Sequence, residues 1–303
     1  MPEFDFTFPG SNTIHYSRRV TAWVVAPERI TLETGLLHCC HGWGGNRFQY
    51  AELMRDFANR YDLVCVATEF RQSGFDFDHV TGRGSGIPYD ASHFQVLDCL
   101  NAIRETLRLY PNLNRQRLLV FGGSQGGHIT MLMTVFAPRS FAAAISGSGI
   151  AWLDQERIAW AGRDFSDDEL AVRDTVRLAP EVRCPVVLMH GTADNTVPDS
   201  HTRALEKALR QAGKAPIVAK YFDGGGHALE PVSNRQQATI ELADALLRQA
   251  RLGGTDDFLA GRRVVVPAVT RSLVLDWSRP ASAHDVMRWE PAAAPNNSPK
   301  DRS

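Results

Sequence analysis

Arg117-Leu118-Leu119-Val120-Phe121-Gly122-Gly123-Ser124-Gln125-Gly126-Gly127 is the stretch on which the reading of this 303-residue chain turns. The unbroken apolar run from Leu118 to Phe121 suits a strand buried on both faces. Two glycines interrupt it, and residues 125–136 then carry a helical pattern. G-x-S-x-G at such a junction predicts a strand that turns sharply into a helix, with Ser124 strained at the apex. Strand and helix nearly touch there, so the positions two before and two after the serine must be small, and they are Gly122 and Gly126. Taken alone the motif is weak: with Gly and Ser each at about 7% of residues, chance supplies it in about one 300-residue chain in ten. Its neighbours give it weight.

Working outward, short apolar runs at 36–40, 62–68, 118–122, 141–146, 185–190 and 216–222 alternate with helical patterns at 48–59, 92–109, 125–136, 200–213 and 234–251. Residues 3–8 and 19–25 add two strand candidates ahead of them. Alternation of this kind predicts a mostly parallel sheet with helices on its faces. Two segments break the rhythm. Residues 148–184 separate two strands without one of their own, which suggests a cap inserted into a domain spanning 1–251. Residues 252–303 form an extension, in which 262–277 suggests a small β addition. The stretch 291–303, rich in Pro, Ala and Asn, cannot support a core and is expected to lack fixed structure.

A serine hydroxyl becomes a useful nucleophile when an imidazole takes its proton and a carboxylate fixes that imidazole's tautomer. Beyond Ser124, the run Val186-Val187-Leu188-Met189 leads into His190-Gly191-Thr192-Ala193-Asp194-Asn195-Thr196-Val197-Pro198. Asp194 thus falls just past a strand's carboxyl end, where sites form in parallel sheets. The next strand runs into Asp223-Gly224-Gly225-Gly226-His227-Ala228, which offers His227 as the base. Asp199 and Asp223 are the other acids within range. His41 and His190, each preceding a glycine, read as residues that orient loops.

With these residues in view, HGWGG (41–45), GGSQGG (122–127), HGTADNTVP (190–198) and GGGHA (224–228) resemble the prolyl-oligopeptidase-like and acetyl-esterase branches of the α/β-hydrolases. GGSQGG in particular is similar to the acetyl xylan esterase and cephalosporin-C deacetylase group. The likeness covers roughly residues 19–251 and implies an α/β-hydrolase fold with Ser124, Asp194 and His227 as catalytic triad, in that chain order. It implies an oxyanion hole made by the backbone N–H groups of Trp43 and Gln125. Residues 148–184 and the extension match no pattern of these families, so the resemblance carries no substrate identity.

Composition excludes other classes. With 33 basic and 34 acidic residues the net charge is −1, so no global field favours nucleic acid or an anionic membrane. No segment approaches 18 consecutive apolar residues, so no bilayer-spanning helix is expected. The N-terminus, Met1-Pro2-Glu3-Phe4-Asp5-Phe6, has neither the basic nor the apolar region of a signal peptide, and a cytoplasmic location is the expectation. Five cysteines, an odd number set mostly in core-like positions, read as buried thiols. There is no C-x-x-C pair, and the histidines show no metal spacing, so neither metal nor cofactor is expected.

The expected activity is hydrolysis of a small carboxylic ester through an acyl-serine intermediate. A peptidase or amidase of prolyl-oligopeptidase type is the alternative; with about 18 residues ahead of Arg19, the propeller that gates the large enzymes is not expected. A non-catalytic binding protein on the same fold would be expected to lack a triad member. Residues 151–184 carry 13 charged side chains, so they do not form the continuous apolar face of a lipase lid. Trp43, Trp152 and Trp160 are the candidates for walls of a small acyl pocket. Oligomeric state has no signature in the sequence.

Overall fold

The computed structural model describes residues 1–10, 19–76 and 88–292. The tail expected to lack structure falls outside this range from residue 293 on. An eight-stranded sheet is built from β1 (Glu3–Pro9), β2 (Arg19–Val25), β3 (Gly35–Cys40), β4 (Leu63–Thr68), β5 (Leu118–Gly123), β6 (Ala143–Gly147), β7 (Val186–Gly191) and β8 (Ile217–Phe222). Their order is β1-β2-β4-β3-β5-β6-β7-β8. The β1–β2 and β2–β4 pairings are antiparallel and the rest are parallel.

Strands β3 to β7 are buried along their whole length because both faces are covered. Side chains alternate between the faces. Leu36, Val64, Val66, Leu118, Val120, Val186 and Leu188 pack toward α2 (His93–Leu109), α3 (Gln125–Phe136) and α6 (Ser200–Ala212). Leu37, Leu63, Leu119, Phe121, Val187 and Met189 pack toward α1 (Ala51–Tyr61) and α7 (Arg235–Gln249). This two-faced burial is why the strands read as continuous apolar runs. Edge strand β8 alternates half-buried and exposed positions instead, and only Phe222 at its end is buried. Helix α1 begins at Ala51 rather than near 48 because Asn46 Oδ1 accepts the Phe48 N–H at 2.9 Å, a local turn that delays the helix.

Between β6 and β7 lie two short helices, α4 (Gln155–Ala161) and α5 (Asp167–Ala171). Asp154 caps the first by accepting the Arg157 N–H, and Ser166 with Glu169 forms a capping box on the second. Strands β9 (Arg263–Pro267), β10 (Arg271–Asp276) and β11 (Met287–Pro291) make a separate antiparallel sheet. It is no loose appendage. Trp277 is buried and donates its indole N–H to Phe136 O at 3.1 Å, and Leu273, Leu275 and Val286 join the cluster around α2 and α3. Asp168 accepts the backbone N–H groups of Val269, Thr270 and Arg271, which ties α5 to the β9–β10 turn. No helix among the described residues is long and apolar enough to cross a membrane.

Candidate active site

The G-x-S-x-G junction folds into the turn its spacing demands. Ser124 sits at φ 60° and ψ −126°, a region that costs a non-glycine residue of the order of 1–3 kcal/mol. Its N–H donates to Gly147 O at 2.9 Å, and its carbonyl accepts from Gly127 and His128. A Cβ on Gly122 would come within 2.2 Å of Gly126 O, and one on Gly126 within 1.9 Å of Cys40 O. Strand β5, helix α3 and the end of β3 therefore meet at glycine distance. Ser124 is half-buried at the N-terminus of α3, where the helix dipole favours developing negative charge.

Asp194 and His227 come from the loops after β7 and β8, and a 2.7 Å hydrogen bond joins Asp194 Oδ2 to His227 Nδ1. The same oxygen accepts from His190 Nε2 at 3.1 Å. His190 Nε2 also lies 2.9 Å from the Val197 carbonyl, which can only accept, so that nitrogen carries the proton and Nδ1 receives the Thr202 hydroxyl. Asp194 Oδ1 accepts the backbone N–H groups of Thr196 and Val197 at 2.9 and 3.0 Å. Burial pushes this carboxyl up, but the hydrogen bonds from His190, His227 and Val197 outweigh it and hold it well below the usual carboxylate range. Within the described residues Ser124 Oγ closes no hydrogen bond to His227; in ligand-free enzymes such bonds are often long and tighten with substrate. The other two acids are used elsewhere. Asp223 accepts from Thr192 Oγ1, and Asp199 pairs with Arg203 at the surface. Asp199 stands at the N-cap position of α6, yet its side chain caps nothing.

The 41–45 loop leaves β3 beside Ser124. A Cβ on Gly42 would lie 3.5 Å from the Ser124 Cβ. The Gly42 N–H donates to Gln49 Oε1 at 2.9 Å, while the Trp43 and Gln125 N–H groups have no hydrogen-bond partner among the described residues. Gln125 opens α3, so its N–H has no intrahelical acceptor. His41 locks the loop: its Nε2 accepts the Phe70 N–H, its Nδ1 donates to Gly42 O, and its ring stacks on Phe70 at 3.7 Å. Burial holds the His41 imidazole down to about 3, so it stays neutral.

Trp43 packs on Tyr89 with ring centroids 4.5 Å apart and on Trp160 of α4 at 5.7 Å. Tyr89 donates its hydroxyl to Gln125 Oε1 at 3.1 Å, which links this aromatic wall to the residue after Ser124. Trp152 stands apart from the wall, stacked on His201 at 3.9 Å. Arg71, on the loop after β4, is committed to a buried bidentate pair with Asp98.

Arg235 carried no signal in the sequence. Its Nη2 donates to His227 O at 2.5 Å, and a Cβ on Gly123 would come within 2.5 Å of its Nε. One guanidinium thus spans the His227 loop and the strand end that presents Ser124. It stands on the first turn of α7, a helix placed by tertiary packing.

A model of the prolyl oligopeptidase family matches residues 87–250. Dipeptidyl peptidase family member 6 of Caenorhabditis elegans is 25% identical over 216 residues, covering 65% of this chain and 28% of that protein. A putative carboxymethylenebutenolidase of Escherichia coli O157:H7 is 28% identical over 185 residues, 59% of this chain and 63% of that protein. The chain therefore spans less than two thirds of either relative. Among solved structures, an acylaminoacyl peptidase of Pyrococcus horikoshii superimposes with a TM-score of 0.64 at 18% identity, over 84% of this chain and 43% of that one. This likeness is one of fold.

Proposed function

The chain belongs to the prolyl oligopeptidase family and is a serine hydrolase, and from that premise we propose that Ser124, Asp194 and His227 are its triad and that it cleaves small carboxylic esters. The observation that carries the triad is the 2.7 Å Asp194–His227 bond on the same sheet end as the strained Ser124. Asp194 holds the proton on His227 Nδ1, which leaves Nε2 free to take the Ser124 proton as Oγ attacks the ester carbonyl. The oxyanion then forms against the Trp43 and Gln125 N–H groups, each contributing about 3 kcal/mol to the transition state. His227 gives the proton to the departing alcohol, and the acyl-serine is hydrolysed by a water that His227 deprotonates.

The short-acyl reading rests on the aromatic wall. Trp43 packs against both Tyr89 and Trp160 beside the oxyanion loop, and these rings suit the wall of a small pocket; a longer alkyl chain would gain about 0.8 kcal/mol per methylene only where an apolar groove received it. Cleavage of an amide or peptide bond is the second reading, favoured by the family and by relatives named as peptidases. The same proton path serves both, since His227 protonates a leaving amine as readily in geometry as an alcohol.

The test is kcat/KM for p-nitrophenyl esters from acetate to decanoate beside aminoacyl amides, with fluorophosphonate labelling of Ser124. A maximum at acetate or propionate supports the ester reading. A maximum at eight carbons or longer refutes the small pocket, and amides turned over faster than the matched esters move the assignment to a peptidase.

A further inference from the structure

On the face of β3 opposite α1 lies a cluster that the hydrolytic site does not use. His38 and Cys40, two residues apart on that strand, point to the same side, toward Cys99 of α2 and Met133 of α3. The ligand atoms of His38, Cys40 and Cys99 all lie within 4.8 Å of one another, and all three residues are fully buried. Cys40 Sγ is 3.3 Å from His38 Nδ1 and 3.7 Å from Met133 Sδ.

These spacings suit a tetrahedral ion. With Zn–N near 2.0 Å and Zn–S near 2.3 Å, tetrahedral geometry puts nitrogen and sulfur about 3.5 Å apart and two sulfurs about 3.8 Å apart. The outer shell suits one as well. His38 Nε2 is 2.8 Å from Thr68 Oγ1, the kind of second bond that fixes a ligating imidazole and turns Nδ1 inward. The Thr130 hydroxyl lies fully buried beside Cys40 and, among the described residues, closes no other hydrogen bond. It is placed to donate to a Cys40 thiolate.

The geometry points to a structural zinc site formed by His38 Nδ1, Cys40 Sγ and Cys99 Sγ, with Met133 Sδ as the fourth donor. Charge selects a divalent ion, and the sulfur–nitrogen donor set at tetrahedral spacing suits zinc. One Zn²⁺ with two thiolates, a neutral imidazole and a thioether is neutral overall, as a site in an apolar core must be. A cuprous ion with the same two thiolates would leave a net negative charge there. Binding displaces the two thiol protons, which pass to solvent, and needs no oxidant. All three primary ligands are inaccessible in the folded chain, so zinc enters as the chain folds and leaves when it unfolds. The ion would pin β3 to α2 and α3, immediately behind the loop that carries Trp43.

The test is zinc content, by plasma mass spectrometry, of the full chain produced in zinc-supplemented medium. The expectation is about one zinc per chain for wild type and for Cys65→Ser, and about a tenth of that or less for Cys40→Ser and Cys99→Ser. Should those variants fail to fold, the wild type alone decides. Unfolding in guanidinium with a chromophoric chelator should release about one equivalent, in step with loss of structure and not before it. Wild-type protein without zinc after refolding in excess zinc overturns the assignment. So does zinc retained at wild-type level in folded Cys40→Ser and Cys99→Ser, or copper in its place.

Discussion

Replacing Asp194 with Asn tests the triad at the point where the geometry is most explicit. Oδ1 accepts two backbone N–H groups and Oδ2 accepts His190 and His227. An asparagine must keep its carbonyl where the two fixed backbone donors demand it, so its NH₂ falls at the Oδ2 position. There it faces the His190 N–H, held in that tautomer by Val197 O, and it faces His227 Nδ1. Only a change of tautomer relieves the clash at His227. The proton then moves to Nε2, and the nitrogen that should take the Ser124 proton already carries one. Loss of the correct tautomer in a triad of this kind lowers kcat about 10⁴-fold, or about 5.4 kcal/mol of transition-state stabilisation. The remaining donor–donor contact with His190 costs about 1–3 kcal/mol of folding stability. The assay is kcat for p-nitrophenyl acetate with a thermal melt of the same preparation. Asp199→Ala is the control: it loses only an exposed pair with Arg203, about 0.3–0.5 kcal/mol, and should leave kcat within about twofold. A folded Asp194→Asn enzyme within tenfold of wild type, or an equal loss in Asp199→Ala, refutes the reasoning.

Ser124→Ala should fold and lose at least about 10³-fold in kcat, measured on the same ester; more than a tenth of wild-type activity would exclude the assignment. Gly126→Ala places a methyl 1.9 Å from Cys40 O and must push α3 away from the oxyanion loop. The expected cost is about 1–3 kcal/mol in denaturant midpoint together with reduced kcat, and an unchanged midpoint would refute the close approach. Stability should also fall in acid. Burial holds His41 to about 3 and His128 to about 4, whereas unfolded imidazoles titrate near 6.5. Their contribution is complete above about pH 6.5 and is lost as pH falls through that value toward about 4, with a slope up to about 2.7 kcal/mol per pH unit for the two. Chemical denaturation at pH 7, 6 and 5 checks it, and a flat profile refutes it.

Much of this protein is determined by the chain itself. Strands β3 to β7 are legible because a strand covered on both faces must be apolar at every position, and a helix covered on one face must not. Ser124 is legible because only glycine fits where β5, α3 and β3 converge, so the backbone geometry is written into residue identity. Asp194 and His227 are legible because strand ends in a parallel sheet place the loops that follow them on one side.

The rest depends on distances that local sequence does not encode. Arg235 becomes a latch on the His227 loop only because α7 packs beside Gly123 and Gly147. Trp152, alike in sequence to Trp43 and Trp160 as an aromatic near the site, is turned onto His201 by the packing of α6. The gathering of His38 and Cys40 with Cys99 and Met133 spans about 95 residues from three elements, and no local spacing announces it. The extension is anchored in the same way, with Asp168 reaching the β9–β10 turn about 100 residues on. Periodicity reports what one element must bury. It does not report which side chains of other elements will meet there, because that follows from how the layers pack.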